Sequence, residues 1–216
     1  MILRSRLEIL VATRNPGKTR EIQEALRSLP FNLCYLDEFP NVAAVDEVGQ
    51  TYEQNAVLKA ISYANQTGMY TLADDSGLEV DALGGMPGVF TARFAGAHAS
   101  DTERVNKLLT ALSGYNTKER SARFVCSMAL AGYESDEETL ITTSASLLKI
   151  TEGRCEGVIA NASRGTNGFG FDPVFIPNSY DETFAELADQ VKARISHRAV
   201  ALHAMQVFLE RRLAQT

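Results

Sequence analysis

The start of the chain constrains the fold most, because a short apolar run leads directly into an amphipathic helical pattern. The run from Leu7 to Ala12 is typical of a buried strand, and Lys18 to Leu29 carries apolar residues at helical spacing. Pro30 is expected to end that helix, because proline has no backbone N–H to continue it. A strand, a tight connection and a helix in this order indicate an α/β fold.

Similar patterns continue along the chain. Further strands are predicted at Asn32–Tyr35, Tyr70–Asp74, Arg123–Ala131 and Thr139–Ile150, the last two joined by an acidic turn as an antiparallel pair. Helix N-caps are predicted at Thr51, with Gln54 completing a capping box, at Ser100, with Glu103 completing another, and at Ser196, for a helix to about Leu213. Together these patterns predict one α/β domain, residues 1–216, with a mixed sheet.

The helix after Thr51 has two distinct faces. Its apolar stripe consists of Tyr52, Ala56, Val57, Ala60, Ile61 and Ala64. Asn55 and Lys59 are one turn apart and are predicted to lie on the opposite, polar face.

Composition excludes several classes of function. The chain has 216 residues, of which 45% are hydrophobic and 22% charged, as in an ordinary globular protein. Its net charge of -6 provides no general attraction to nucleic acid or to an anionic membrane. No run approaches the roughly 18 to 20 apolar residues that span a bilayer. We therefore expect a small-molecule ligand, whose negative charge a local cluster of Lys and Arg would hold, and neither a nucleic-acid nor a membrane partner.

The cysteine and histidine pattern gives no indication of zinc. Cys34, Cys126 and Cys155 are odd in number and far apart, which is typical of reduced thiols in a cytoplasmic protein. His98 and His203 have no partner at metal-ligand spacing and are predicted to be surface residues.

The first candidate site is the connection between the first strand and the first helix. It comprises Thr13, Arg14, Asn15, Pro16, Gly17 and Lys18. Backbone N–H groups and a helix dipole would converge here, which suits a phosphate group. An ordinary strand-to-helix turn with a solvated lysine explains the same residues equally well.

A P-loop is a rival interpretation of this segment. Ala12 to Thr19 nearly fits the pattern G-x-x-x-x-G-K-[ST], although Ala12 replaces the first glycine. A P-loop wraps phosphate with successive N–H groups, and Pro16 has none. A P-loop NTPase or kinase is therefore the alternative function, and a nucleotide-binding regulator without turnover is a third.

The second candidate site is the sequence Asp74-Asp75-Ser76-Gly77 at the end of a predicted strand. Because strand side chains alternate in direction, only one of the two aspartates is expected to serve a given site. A carboxylate facing bound phosphates suits Mg²⁺ binding or proton transfer from water. Simple turn chemistry is the alternative explanation.

Two later motifs form further candidate sites. In Gly168-Phe169-Gly170-Phe171-Asp172-Pro173, glycines flank rings that would stack on a flat base, and Asp172 would accept a hydrogen bond. Ser196-His197-Arg198, with Lys192 shortly before it, places donors at a helix N-terminus. Taken singly, these motifs are also explained by a turn with core aromatics and by a solvated basic helix end.

Taken together and in this order, the motifs resemble the inosine triphosphatase family of non-standard purine nucleoside triphosphate pyrophosphatases over essentially the whole chain. The matching segments are residues 12–18, 46–47, 52–56 with Lys59, 73–78, 83–88 with 92–93, 168–173 and 195–198. The resemblance implies an elongated two-lobed α/β fold with a central mixed β-sheet flanked by helices, an active-site cleft between the lobes, and a homodimer. It also implies hydrolysis of dITP, ITP and XTP to a nucleoside monophosphate and pyrophosphate.

The resemblance also implies how the phosphates are bound. The expected triphosphate-binding residues are Thr13, Arg14, Asn15, Pro16, Gly17, Lys18, Lys59 and Ser76. Mg²⁺ is the expected cofactor, held by Glu47 and Asp75, because Gln54 stands where the family often has glutamate and carries no charge. Asp75 is expected to orient or deprotonate the attacking water, and whether one carboxylate both binds the metal and acts as base is left open.

The nucleobase is expected to be bound by the two later motifs. The implied residues are Phe169, Gly170, Phe171, Asp172, Lys192, His197 and Arg198. Phe169 would stack on the purine, and donors that face position 6 favour a 6-oxo purine over the 6-amino group of ATP. Phe171 stands where the family often has tyrosine and so lacks one hydroxyl. GTP is also a 6-oxo purine, and its exclusion would need a contact at position 2.

Overall fold

The structure is a computed structural model that describes residues 7–133 and 144–215. Its strands are β1 (Glu8–Val11), β2 (Asn32–Tyr35), β3 (Tyr70–Val80), β4 (Ser121–Gly132), β5 (Ser146–Ile159) and β6 (Phe175–Pro177). Its α-helices are α1 (Pro16–Leu26), α2 (Tyr52–Thr67), α3 (Asp101–Ala111), α4 (Asp189–Ile195) and α5 (His197–Gln215). The predicted acidic turn and the first residues of the predicted strand Thr139–Ile150 lie outside the described residues.

Within residues 7–133 and 144–215, six strands form one mixed sheet with the order β2-β1-β3-β4-β5-β6. β1 pairs in parallel with both β2 and β3, and Val11 lies opposite Tyr35 on one side and Leu72 on the other. β5 pairs antiparallel with β6. The predicted α/β class with a mixed sheet flanked by helices is confirmed.

Helix α1 begins two residues before the predicted position. The Asn15 side chain accepts hydrogen bonds from the N–H groups of Gly17 and Lys18, and Pro16 occupies the first turn. Proline is favoured there, because its missing N–H would have no partner within the helix. The helix ends at Leu26, before Pro30, and buries Ile22 and Leu26.

Strand β3 is longer than predicted. The prediction ended the strand at Asp74, because Asp-Asp-Ser-Gly is typical of a turn. The strand continues to Val80, and Leu78 and Val80 are both fully buried. Burial of these two apolar residues keeps the polar segment within the strand, so Asp74 and Asp75 lie in its middle.

Helix α2 shows a second difference from the sequence pattern. Thr51 caps it by accepting from the N–H of Gln54, but the Gln54 side chain accepts from the N–H of Gln50 instead of completing a capping box. Asn55 and Lys59, predicted on the polar face, are buried. The polar face of α2 is therefore buried at these two positions.

The other predicted helices are present. Ser100 and Glu103 form the predicted capping box at α3. The Ser196 hydroxyl accepts from the N–H of Ala199 at 3.1 Å at the start of α5, and α4 precedes it without having been predicted. Across residues 7–133 and 144–215, no helix is both long and apolar enough to cross a membrane.

The chain divides into two compact units. Of the described residues, the first unit comprises 7–75, 127–133, 144–152 and 201–215, and the second comprises 76–126 and 153–200. One buried cluster of the first unit contains alanines from α2, β3 and β4 together with Leu10, Leu36 and Tyr63. A buried cluster of the second unit includes Phe124, Phe175 and Phe184.

Candidate active site

In the first unit, the two adjacent aspartates of β3 have different partners. The Asp74 carboxylate pairs with the Lys18 ammonium at 3.0 Å. Asp75 instead accepts a hydrogen bond from the Asn55 amide at 2.9 Å. Both aspartates are buried, at 1% and 6% exposed. Alternation along β3 thus directs the two carboxylates to different partners, as the sequence predicts.

Lys59 lies among three acidic residues of the same unit. Its ammonium is 2.5 Å from Glu47 Oε1 and 3.9 Å from Asp75 Oδ1, and it donates to the Asp74 carbonyl at 2.6 Å. Burial lowers the pKa of Lys59, but Asp74, Asp75 and Glu47 raise it by more, so the net shift is upward. Lys59 is therefore a permanent cation at neutral pH.

Burial also governs the ionisation of Asp75. It raises the pKa of the carboxyl, and although Lys59 lowers that pKa and Glu47 raises it again, the net shift is upward. A carboxyl with a raised pKa is a better proton acceptor when ionised than an ordinary aspartate is. Asp75 is therefore a candidate general base.

Asn55 connects Asp75 to the segment that carries Glu47. Its amide nitrogen donates to Asp75, and its amide oxygen accepts from the N–H of Gly49 at 2.7 Å. A Cβ atom at position 49 would lie 2.6 Å from that oxygen, so a side chain there would displace Asn55. Sequence reasoning missed this role, because a buried polar side chain on a polar helix face has no distinguishing pattern.

The candidate ligands for a divalent cation are the two carboxylates near Lys59, Glu47 and Asp75. Within the described part of the chain there is no group of three or more His, Cys, Asp or Glu residues arranged to hold a metal ion. Glu47 and Asp75 nevertheless both lie within 4.0 Å of one positive nitrogen. Carboxylate oxygens are the hard donors that Mg²⁺ binds together with water and phosphate.

The connection between β1 and α1 is ordered by its own side chains. The Asn15 cap occupies the N–H groups of Gly17 and Lys18, and the N–H of Asn15 donates to the Thr13 hydroxyl at 3.2 Å. Arg14 is exposed. A P-loop would leave such N–H groups to a phosphate. The geometry gives the P-loop interpretation no support, and phosphate contacts from this segment would come from side chains.

In the second unit, a glycine-flanked turn presents Phe169. Gly168 and Gly170 have φ values of 75° and 62°, which favour glycine. The Lys192 ammonium lies 4.8 Å from the centre of the Phe169 ring, and the Arg198 guanidinium lies 5.8 Å from it. Asp172 accepts from Lys192 at 2.5 Å and from the Phe169 N–H at 2.8 Å. Four predicted residues are thus brought together.

Three other predicted residues of the second unit lie in different environments. Phe171 is 1% exposed and belongs to the hydrophobic core, so its ring does not offer a stacking face. His197 is buried and stacks on Phe124 with ring centres 4.7 Å apart. Ser76 accepts a hydrogen bond from Arg198 at 2.8 Å. His98 is exposed, as the sequence predicts.

Comparison with known proteins places the chain among enzymes of one family. It is 42% identical to the dITP/XTP pyrophosphatase of Bacillus licheniformis over 94% of this chain and 98% of that protein. Among solved structures, a HAM1 protein from Coxiella burnetii is 43% identical with a TM-score of 0.82 and covers 95% of this chain and 99% of its own.

A second solved structure is consistent with the first. The nucleoside-triphosphatase / dITP/XTP pyrophosphatase from Mycobacterium abscessus is 40% identical with a TM-score of 0.70, over 92% of this chain and 98% of that one. A sequence model of the Ham1 family matches residues 9–208. The family resemblance read from the motifs is confirmed, and this chain belongs to the Ham1 family.

Proposed function

We propose that this chain hydrolyses the non-standard purine nucleotides dITP, ITP and XTP to a nucleoside monophosphate and pyrophosphate. Its relatives with the name dITP/XTP pyrophosphatase match it over nearly their full length. The observation that carries the proposal is the buried charged group of the first unit, in which Lys59 lies between Glu47 and Asp75. This group combines a cation that can bind a phosphate oxygen with a carboxylate that can position a water molecule.

The triphosphate is assigned to side chains of the first unit. Lys18 and Lys59 supply fixed positive charge, and both are paired with carboxylates in the absence of substrate. A phosphate oxygen can take the place of such a carboxylate in a charge-assisted hydrogen bond worth roughly 1.5–3 kcal/mol. Thr13, Arg14 and Asn15 add polar side chains from the β1–α1 connection.

Asp75 is assigned the role of positioning the water that attacks the phosphate chain. Its carboxylate accepts from Asn55, and because a carboxylate can accept several hydrogen bonds, a water molecule can be bound there as well. Glu47 and Asp75 are the proposed ligands of Mg²⁺, which would neutralise negative charge on the phosphate oxygens when bound. A carboxylate oxygen that ligated the metal would be a poor base, so the same Asp75 oxygen would not serve both roles.

The purine is assigned to the second unit. Phe169 offers a half-buried ring for stacking, and Lys192 and Arg198 supply donors close to that ring. Donors of this kind match a 6-oxo group, whereas the 6-amino group of ATP would place a donor against a donor. An unpaired donor costs about 1–3 kcal/mol. His197, buried against Phe124, completes the proposed donor set, and Asp172 holds Lys192 in place.

Two further features are proposed from the family resemblance. We propose that the chain forms a homodimer and acts in the cytoplasm. The structure pairs none of the described cysteines, Cys34, Cys126 and Cys155, in a disulfide, which is compatible with a reducing compartment.

The proposed function is tested by product analysis with dITP, dGTP and ATP, each with and without Mg²⁺. We expect Mg²⁺-dependent release of pyrophosphate from dITP and little turnover of the other two nucleotides. Asp75→Asn should lower kcat by about 10²–10⁴-fold, the usual contribution of a general base.

The matched control for Asp75→Asn is Asp37→Asn, an exposed aspartate of the same unit. This control should retain wild-type turnover. Orthophosphate from ATP, or full activity of Asp75→Asn, would contradict the proposed function.

A further inference from the structure

The turn that carries Phe169 is tied to a helix that lies 69 residues earlier in the chain. The N–H of Gly170 donates to Asp101 Oδ2 at 2.6 Å. Asp101 is the first residue of α3, in the same unit as the turn. The contact therefore joins the proposed stacking residue to an element that contributes no residue to the base site described above.

The Asp101 carboxylate is itself held in place. Its other oxygen, Oδ1, accepts from the Arg104 guanidinium. Arg104 also donates to the backbone carbonyls of Ala92 and Ala99, at 2.9 Å and 2.6 Å. One carboxylate oxygen thus serves the arginine and the other serves the turn, which leaves Asp101 little freedom to rotate.

The turn needs such a contact because glycine flanks Phe169 on both sides. Gly168 and Gly170 have positive φ values, and glycine loses more conformational freedom on ordering than any other residue. Within the turn, the Phe169 N–H donates to Asp172, which orders its N-terminal side. The bond from Gly170 to Asp101 orders its C-terminal side.

We propose that Asp101 is a positioning residue for base recognition, which acts by fixing the Phe169 turn. The inference rests on the proposed function, in which Phe169 stacks on the purine. A shift of the turn would move the ring relative to Lys192 and Arg198, which lie 4.8 Å and 5.8 Å from its centre. Loss of Asp101 is therefore expected to weaken binding of the base and to leave binding of phosphate groups unchanged.

The test compares Asp101→Ala and Asp101→Asn with wild type, with Mg²⁺ present. Calorimetry gives the dissociation constants of dIMP, which carries the base, and of inorganic pyrophosphate, which does not. Asp101→Ala is expected to weaken dIMP binding by about tenfold, within the range for a misplaced positioning group. Its pyrophosphate affinity should not change, which also reports that the variant is folded. Asp101→Asn keeps an acceptor for Gly170 and should recover most of the dIMP affinity.

The control is Glu103→Ala, because Glu103 caps the same helix turn through Ser100 and does not contact Gly170. This variant should bind dIMP as wild type does. Equal loss of dIMP and pyrophosphate affinity in Asp101→Ala, or the same dIMP loss in Glu103→Ala, would overturn the inference. If wild type neither hydrolyses dITP nor binds dIMP, the proposed function is overturned, and the inference with it.

Discussion

Lys59 holds a buried positive charge among Glu47, Asp74 and Asp75. Such a charge is stable only because its partners compensate for lost hydration. The sequence predicted that Lys59 and Asp75 belong to one site. It also predicted that the side chains of Asp74 and Asp75 point in different directions, because side chains alternate along a strand. The burial of Asn55 and Lys59 could not be predicted, because a polar helix face usually lies in solvent and only tertiary contacts reveal an exception.

Lys59→Met is expected to lower the free energy of unfolding at pH 7 by about 3–5 kcal/mol, because the substitution leaves buried carboxylates without their cation. Urea unfolding measures this change. The folded-state pKa of Lys59 is raised, so its stabilisation is complete below the ordinary pKa of 10.5 and is lost as the pH rises through the folded value. On the alkaline side, the difference in the free energy of unfolding between variant and wild type should therefore shrink as the pH rises through that value.

The control for this variant is Lys118→Met, at an exposed lysine. Its effect should stay within about 0.5 kcal/mol, as for most surface substitutions. Equal stability of Lys59→Met and Lys118→Met at pH 7 would show that the buried group does not stabilise the fold.

Helices and strands with strong local patterns were predicted well, and those whose limits depend on distant contacts were not. The capping box at Ser100 identified the start of α3. Strand β3 continues past Asp75 because Leu78 and Val80 are buried in the hydrophobic core. The polar sequence Asp-Asp-Ser-Gly does not indicate this burial. Helix α4 has only 7 residues, too few for a clear helical period. The order of strands in the sheet depends on nonlocal pairing and has no signal in any single segment.

The close approach of β5 and β6 can be tested by a substitution at Gly157. Gly157 lies opposite Pro177, and a Cβ atom there would be 2.2 Å from the Ile176 carbonyl oxygen. Gly157→Ala should therefore force the two strands apart and cost about 1–3 kcal/mol, the usual effect of overpacking. Thermal unfolding checks this result.

Gly114→Ala is the matched control, because a Cβ atom at that position meets no other atom within 4 Å. It should unfold at the wild-type temperature or slightly above it, since alanine restricts the unfolded chain more than glycine does. Unchanged stability of Gly157→Ala would contradict the close approach of β6.

For the molecule as a whole, the sequence predicted the fold class and the family, because four separate motifs occur in the family's order. The proposed base-binding motif was predicted at Phe169 and Asp172, which the structure brings together with Lys192. The sequence did not predict that Asp101 connects this motif to α3. Acidic residues are common in the first turn of a helix because they interact favourably with the helix dipole, so Asp101 did not stand out. Neither did the sequence predict that the Phe171 ring belongs to the core.

Selectivity for non-standard purines is measured by letting three nucleotides compete for the protein in one vessel. Equal concentrations of dITP, dGTP and dATP are incubated with wild-type protein and Mg²⁺, and the nucleotides and phosphates are followed over time. We expect dITP to be converted to dIMP and pyrophosphate in equal amounts, while dGTP and dATP remain. Consumption of dGTP or dATP at the rate of dITP would contradict the proposed selectivity. Release of orthophosphate in place of pyrophosphate would contradict the proposed reaction.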